Sequence, residues 1–590
     1  MNNSVVQMVF RRMTATQIMS AVTVTICLLV DSLVIGRYLG VDAMSAYGLA
    51  NPLIIIFNAL GTMTSCGVQV YLGKAMGKGD AEDCRRCFST SLVMSIAISA
   101  IWMLFIFAAT GPICVMLGAG SPGAGNQVAA MTDDYLRGYI LGAPFFFMSQ
   151  IMVPYLQSMG KRKLTVASVA AMTAADIIFD LLCVYALDAG MFGIGLSSGI
   201  SYFVATLVGI GFFMNKDCTF KFEKDLVSAK TMKEIAYGGN PVLVNQAFFM
   251  IRVYALNRIL LAVTGTVAVA AISVISTIGS IIFSIGLGAG SIALMLASIF
   301  YSEEDRSSLY DLINVMSLYS LKLIVIVVLF VQIAAPSIID LFFDGSAEVT
   351  AIAITGLRLY SISLIACVLT TVYKNYYQGI RIMKLTNVLS FVNNVGILIP
   401  AVWVFSKMFG LLGVWIGIIV SEFATLAFIC VVVWIKFGKV SFTTEAFSML
   451  GPDFGASKKD VLELTITDMD TALAAPQTIG EFCTKKGLGD RLSMLLSLCV
   501  EEIIVNTVKY GFTDDKQKHS AEIRLVVHDE KCIVRIRDNC IGFDPTKYFE
   551  LHESDSPTSH IGIRMVMKMV NEIDYINSLG LNNLYMSINR

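Results

Sequence analysis

The run Thr14-Ala-Thr-Gln-Ile-Met-Ser-Ala-Val-Thr-Val-Thr-Ile-Cys-Leu-Leu-Val-Asp31-Ser-Leu-Val-Ile-Gly-Arg-Tyr-Leu39 holds a single acidic residue in a long apolar stretch. A spanning helix needs roughly 20 mostly apolar residues. The run therefore predicts a membrane helix with a carboxylate inside it. Eleven further runs of this kind follow, at about 47–73, 88–109, 132–158, 164–187, 193–214, 235–263, 267–300, 309–335, 349–378, 385–405 and 411–437.

The composition agrees. The 590 residues are 56% apolar and 15% charged, against about 45–50% and roughly 25% in soluble globular chains. An ordinary soluble enzyme, a disordered scaffold and a secreted disulfide scaffold are excluded. A net charge of −1 gives no reason to expect a nucleic-acid partner. The charge is unevenly spread: of 43 Lys plus Arg and 44 Asp plus Glu, 38 lie after Val440, as do all 4 His. This predicts a membrane domain over 1–440, a linker at 441–459 and a soluble domain over 460–590. The 13 Cys are scattered and odd in number, which suits reduced core thiols. Cys84 and Cys87 form a lone CxxC that packing explains better than a metal.

Loop charges set the orientation. Alternate loops carry Lys74, Lys78, Arg85 and Arg86, then Lys161, Arg162 and Lys163, then Lys216, Lys221, Lys224, Lys230 and Lys233. Arg306, Arg381 and Lys384 continue the series, and Arg11, Arg12, Lys436 and Lys439 mark the ends. The intervening loops 111–130, 188–192, 264–266 and 336–348 hold no Lys or Arg. Both termini and the soluble domain are expected in the cytoplasm of a multi-pass cell-membrane protein. Gly77-Lys-Gly-Asp80 matches Ser302-Glu-Glu-Asp305, Lys163-Leu-Thr165 matches Lys384-Leu-Thr386, and Met191-Phe-Gly193 matches Met408-Phe-Gly410, at nearly constant offset. A duplicated unit follows, with six-helix lobes at about 10–214 and 233–437, a plan that suits alternating access.

Ionisable groups within spans are costly and mark function by default. Asp31 lies in the first run; Asp176 and Asp180 lie in the fifth, at i and i+4 on one helical face. The three are the candidate cation-coupling residues. Arg252, Arg258, Lys322 and Glu422 also fall in apolar runs. An interior Arg–Glu pair or gate and snorkelling to the interface both remain open for them.

After Val461 the period changes. Strands are expected at 461–467, 521–528, 532–537, 575–578 and 584–589, and helices at 470–486, 490–510 and 561–573. Gly580 would turn the last hairpin. This is an α+β sandwich, with helices on one face of a mixed or antiparallel sheet. Glu502 and Asn506 project from one helical face, and an Asn oxygen suits Mg²⁺. Asp538-Asn-Cys-Ile-Gly542 follows a strand, and Gly562-Ile-Arg564 opens a helix whose free N–H groups suit phosphate.

Asp31-Ser-Leu-Val-Ile-Gly-Arg-Tyr-Leu-Gly40, Ala46-Tyr-Gly-Leu-Ala-Asn-Pro52, Leu72-Gly-Lys-Ala-Met-Gly-Lys-Gly-Asp80 and Asp180 followed by Gly190-Met-Phe-Gly-Ile-Gly195 resemble multidrug and toxin extrusion (MATE) transporters over about 10–437. The resemblance implies twelve transmembrane helices in two lobes. It also implies H⁺ or Na⁺ as coupling ion, taken up at Asp31 and Asp180, with Asp176 where relatives often carry Asn. The implied activity is export of small organic, drug-like compounds across the bilayer. The three C-terminal segments, in order, resemble the ATP-binding boxes of the GHKL (histidine-kinase-type, Bergerat-like) fold over about 461–590, above all those of anti-sigma-factor serine kinases. That resemblance implies ATP with Mg²⁺ on Asn506, Glu502 assisting transfer, Asp538 reading adenine, and Gly542 and Gly562 beside the phosphates. Cys540 and Ser559-His560 stand where the boxes carry Gly, which adds bulk near the nucleotide.

The expected function is a cation-coupled antiporter with a cytoplasmic ATP-binding regulatory domain, in which a serine/threonine kinase activity is open. Transport itself is not expected to run on ATP, because no GxxxxGK[ST] loop is present. Two alternatives stand beside it. One is a transporter-like sensor whose kinase domain acts on a cytoplasmic regulatory protein; the other is a lipid-linked precursor flippase.

Overall fold

A computed structural model of the protein describes residues 5–116, 126–213, 218, 220–264, 266–340, 347–438, 443–513, 519–551 and 561–590. Ser559 and His560, the departures from the third nucleotide segment, lie outside them. The membrane part begins with α1 (Val5–Val34), a π-helical turn (Ile35–Leu39), α2 (Gly40–Lys78) and α3 (Ala81–Met116). Next come α4 (Asn126–Leu141), α5 (Ala143–Ser158), α6 (Arg162–Tyr185) and α7 (Gly190–Phe213). The second group is α8 (Ala229–Thr264), α9 (Thr266–Ser302), α10 (Arg306–Asp340), α11 (Ala347–Gly379), α12 (Met383–Phe391), a second π-helical turn (Val392–Gly396) and α13 (Leu398–Phe437).

Among the described residues nine helices are long and apolar enough to cross a membrane, or ten if one bent pair counts as a span. The expected fourth span is that pair: α4 and α5 meet at 49° around Gly142, where Pro144 lacks the N–H that would continue the ladder. Met383–Phe437 counts once, at 55 residues, although a straight helix of that length would run roughly 80 Å against a hydrocarbon core of about 30 Å. It breaks at Gly410, at φ 58° and ψ −133°.

The apolar cores explain the shape of this part. One core runs through both groups at the end bearing the Lys/Arg-rich loops, joining Leu72, Tyr155, Leu296, Phe300, Leu312 and Tyr376. Toward the opposite end it divides. Ile35, Phe57, Tyr139 and Ile194 belong to one cluster of the first group; Ile282, Val328, Leu357 and Trp415 belong to another in the second. The groups are thus fused at the basic end and separately packed at the other.

Small residues make the fusion. Without a strong hydrophobic drive in lipid, helices associate by close packing through small side chains. A Cβ on Gly67 would fall 2.0 Å from the Ile235 carbonyl oxygen, and one on Gly239 would fall 2.0 Å from that of Met63. Here α2 and α8 touch backbone to backbone.

A short helix α14 (Thr444–Phe447) follows in the linker; the C-terminal domain comprises β1 (Val461–Ile466), α15 (Met469–Lys485), α16 (Asp490–Asn506), β2 (Ala521–Val527), β3 (Lys531–Asp538), α17 (Pro545–Leu551), α18 (Ile561–Met569), β4 (Glu572–Ser578) and β5 (Leu581–Asn589). The sheet order is β1-β2-β3-β5-β4, antiparallel throughout. Ile466, Ile523, Val534, Ile536 and Met586 pack one face of the sheet against α15 and α16, through Ile479, Leu496 and Val500. A capping box starts α15: Asp468 accepts from the Thr471 N–H at 2.8 Å, and Thr471 Oγ accepts from the Asp468 N–H at 3.2 Å.

One expectation needs correction. The helix expected over 561–573 stops at Met569, because Glu572 already pairs with Ser587 in the sheet. The described part of the linker, from residue 443 on, is fastened to the helices. Arg306 donates to the carbonyls of Gly451, Pro452 and Phe454, and Tyr376 and Tyr377 donate to those of Ser448 and Phe447. Donors from the helices thus satisfy the carbonyls of this stretch.

Gly67→Val should drive α2 from α8 and lower stability by about 1–3 kcal/mol, seen as a falling melting temperature in detergent. An unchanged melting temperature would show that the contact is not tight.

Candidate functional sites

Asp31 on α1 and Asp176 and Asp180 on α6 come together in the first helix group. All three are buried, and Asp31 lies close enough to feel the charge of both Asp176 and Asp180. Ser197 of α7 donates to Asp180 Oδ1. Asp31 Oδ1 and Asp180 Oδ2 have no protein hydrogen-bond partner among the described residues. Tyr47, Tyr139 and Tyr202 border the cluster. The π-helical turn starts four residues after Asp31 and ends at Gly40, at φ 86°. Such turns often mark functional positions in helices.

The second group holds a separate polar cluster. Arg252 of α8 donates to Glu422 of α13 at 3.2 Å, and Asn393 closes on the same carboxylate at 2.8 Å. Lys374 of α11 donates to Asn245 Oδ1 at 3.1 Å. The interior Arg–Glu pair is therefore formed, and Arg252 does not snorkel. Lys374, Asn245 and Asn393 carry no signal in the sequence, where each sits beside one other polar residue (Asn375, Gln246 and Asn394) in an apolar run. Cys84 and Cys87 are both buried in the main core, and Tyr155 donates to Cys87 Sγ at 3.3 Å.

In the C-terminal domain Asp538 ends β3 on the helix-covered face. Its Oδ1 accepts from Asn582 Nδ2 at 2.6 Å and from the Cys540 N–H at 3.0 Å. Tyr575 donates to Asn582 Oδ1 at 2.7 Å. Burial raises the Asp538 carboxyl above its usual range, and the Asn582 donor opposes that rise. Gly542 lies against the Tyr575 hydroxyl with room for a Cβ. Gly562 has none: a Cβ there would sit 1.9 Å from Glu502 Oε2. The Glu502 carboxylate therefore rests at the N-terminus of α18, where the helix dipole favours negative charge. Asn506 follows one turn later on α16, at the start of a third π-helical turn (Thr507–Gly511). Cys540 packs on Gly511, whose Cβ would lie 2.9 Å from its own. Asn582 was not legible, because only the register of β5 on β3 sets it opposite Asp538.

Residues 17–182 match the MatE family model, and residues 466–588 match that of the Histidine kinase-like ATPase domain. The chain carries a MatE domain joined to a histidine kinase-like ATPase domain. The ATPase match begins at the end of β1 and takes in β2 to β5 up to Ile588, and the MatE match includes Asp31, Asp176 and Asp180. Multidrug export protein MepA of Staphylococcus saprophyticus is 23% identical over 383 residues, 64% of this chain and 82% of that protein. MepA of Staphylococcus aureus strain bovine RF122 matches with the same identity and coverage. Solved structures share the fold. An outward-facing multidrug resistance MATE family transporter of the MOP superfamily superposes at a TM-score of 0.67 and 19% identity, over 72% of this chain and 94% of that one. The Vibrio cholerae MATE transporter VcmN, in its bent form, gives 0.66 and 18%, over 72% and 96%. The helical part has the MATE fold and is a multi-pass membrane domain.

Asn582→Ala should leave Asp538 without its side-chain donor, at about 1–3 kcal/mol. The loss falls on the ionised form. A donor to the carboxylate holds the folded pKa down, so its removal costs more as pH rises above that pKa and less in acid. Hydrogen exchange at β3 and β5, corrected for intrinsic rates, should accelerate more at pH 8 than at pH 5. Equal acceleration at both would refute the assignment.

Proposed function

We propose that the MatE domain is a cation-coupled antiporter that exports organic, drug-like compounds, with the ATPase domain as its regulatory nucleotide site. One observation carries the transport reading: three buried carboxyl groups share a site in which two oxygens have no protein partner among the described residues. A buried carboxylate without donors is costly, so each oxygen calls for a proton or a small cation. Loading and unloading that cation, H⁺ or Na⁺, would then bias the helices between two arrangements. The exporter names of the MepA relatives support the direction and substrate class.

On this reading α1–α7 and α8–α13 are the two lobes. Twelve crossings result when the bent α4–α5 pair is one span, α8 another, and Met383–Phe437 two joined at Gly410. The basic loops place both termini and the ATPase domain in the cytoplasm. The fused basic end then closes the cytoplasmic side, and the divided end faces outward. In the ATPase domain Asn506 would hold Mg²⁺, Asp538 would accept from the adenine amine, and Gly542 and Gly562 would lie beside the phosphates. The side chains fit in part: Asp538 is ordered by Asn582, while Glu502 must leave the N-terminus of α18 for a phosphate to take its place.

In proteoliposomes under an imposed proton or sodium gradient, without ATP, wild type should expel ethidium. Asp31→Asn and Asp180→Asn should each lower the rate at least tenfold; efflux undiminished in both would sink the coupling role. The full chain in detergent should bind a fluorescent ATP analogue with Mg²⁺, and Asn506→Ala should weaken binding at least tenfold. Absence of binding at millimolar nucleotide would end the regulatory reading.

A further inference from the structure

Helices α15 and α16 cover only one face of the ATPase sheet. Across the other face the strand register lays out a row, Glu463–Arg524–Arg535–Tyr585–Asp574, and beside it Thr465–Glu522–Arg537–Asn583–Ile576. A sheet face so rich in charge normally faces water. Here Arg524, Arg535 and Arg537 have side chains only 13%, 15% and 11% exposed.

What covers them is the α9–α10 loop. Glu303 pairs with Arg535 at 3.4 Å and with Arg537; Asp305 pairs with Arg524 at 3.8 Å and with Arg537 at 3.9 Å. The carbonyls of Glu303 and Glu304 accept from Arg524 as well. Burial pushes the Arg535 and Arg537 guanidinium groups down to about 10, so both stay charged at neutral pH. Burial alone would raise the Asp305 carboxyl. The Arg524 cation and the Ser307 and Ser308 donors nonetheless hold it below its usual range.

The same sheet also rests on the first lobe. The Leu579 N–H, in the β4–β5 turn, donates to the Ser158 carbonyl at the end of α5. Gly160 meets Gly580 so closely that a Cβ on it would lie 2.3 Å from the Gly580 nitrogen. Tyr585 packs over Gly79, at the end of α2. Ile576 and Leu581 enter the core that joins both lobes. Directly above, the lobes touch each other: a Cβ on Gly73 would fall 2.6 Å from Ser298 Cβ, and Ser298 donates to the Val70 carbonyl at 2.7 Å.

We propose that the uncovered face of the ATPase sheet is a clamp. It binds the α2–α3 and α5–α6 turns of one lobe and the α9–α10 loop of the other, and holds the carrier closed at that end. The lobes separate there only when the sheet releases one set of loops. Glu303 and Asp305 are the releasable set, because polar and charged groups hold them while apolar packing and backbone contact hold the first lobe. Release is open to nucleotide control. Asp538 directly follows Arg537 on β3, and Asn582 directly precedes Asn583, which accepts from Arg537 Nε at 3.0 Å. The nucleotide residues and the clamp residues are neighbours on opposite faces of the same two strands. The clamp rests on the reading of this chain as an alternating-access carrier.

The test uses the full chain in proteoliposomes with Ser298→Cys at the seam, its maleimide labelling read by peptide mass spectrometry and sheet docking read by hydrogen exchange at 302–306 and 577–581. Glu303→Lys sets a cation against three arginines and should raise labelling at residue 298 at least fivefold; Glu303→Lys with Arg537→Glu should return it toward wild type. Should Glu303→Lys fail to fold, Arg535→Gln with Arg537→Gln removes the same pairs and should give the same rise. Loss of protection at 302–306 without increased labelling would overturn the clamp, as would unchanged protection in every variant. If wild type expels no ethidium yet labelling follows the variants, the carrier reading fails and the clamp stands. If labelling ignores Mg·ATP that the chain demonstrably binds, nucleotide control is overturned.

Discussion

The backbone contact of α2 with α8 and α9 is the constraint on which the remaining structure depends. Gly67, Gly73, Gly77 and Gly239 let these helices approach until a single added Cβ would strike the opposite helix. The approach fuses the two helix groups at the basic end and leaves them separately packed at the other. It also fixes the spacing between the α2–α3 turn and the α9–α10 loop. A rigid sheet can rest on both only while that spacing holds. Tight packing of small residues in the membrane thus sets the footprint on which the soluble domain sits.

The ionisable groups sort by how their charge is compensated. Arg252 and Glu422 answer each other, with Asn393 completing the carboxylate, and such a pair needs nothing from outside. Asp31, Asp176 and Asp180 bring three acids together with hydroxyl neighbours and no ion pair to a basic side chain among the described residues. Removing several charges from water without opposite charge is the costlier arrangement, and it persists where a mobile cation supplies what the protein does not. The two helix groups therefore differ in chemistry: one gathers acids, and the other is internally neutralised around its pair.

Much of this was legible in the residues. Apolar runs, basic loops and the three carboxylates are local signals, and each found its place in the fold. So did the segments carrying Asn506, Asp538 and Gly562. What escaped depends on distant partners. Arg535 and Arg537 alternate with Val534 and Ile536 and read as the wet side of an amphipathic strand; their acids lie more than two hundred residues earlier, in a loop with no reason of its own to be buried. The stretch after Val440 reads only as a join between domains; that Arg306 and two tyrosines hold its carbonyls depends on the fold. Asn582 acquires meaning only through the register of β5. Periodicity specifies which residues share a face, and tertiary contact decides what that face meets.

Strand parity joins the two halves of the protein mechanically. Along β3, Val534, Ile536 and Asp538 point to the helix layer, while Arg535 and Arg537 point to the membrane domain. A tilt or slide of β3 that lets Asp538 meet a ligand moves the adjacent guanidinium groups by a similar amount. The ion pairs they make are unequal: Arg535 meets Glu303 at 3.4 Å, and Arg537 meets Asp305 at 3.9 Å and Glu303 more closely. Pairs buried in low dielectric lose attraction steeply when separated and regain no hydration until water enters. A displacement of about an ångström at such pairs is a change of grip rather than a gradual loosening. The geometry favours two states, gripped and released, over a continuum between them.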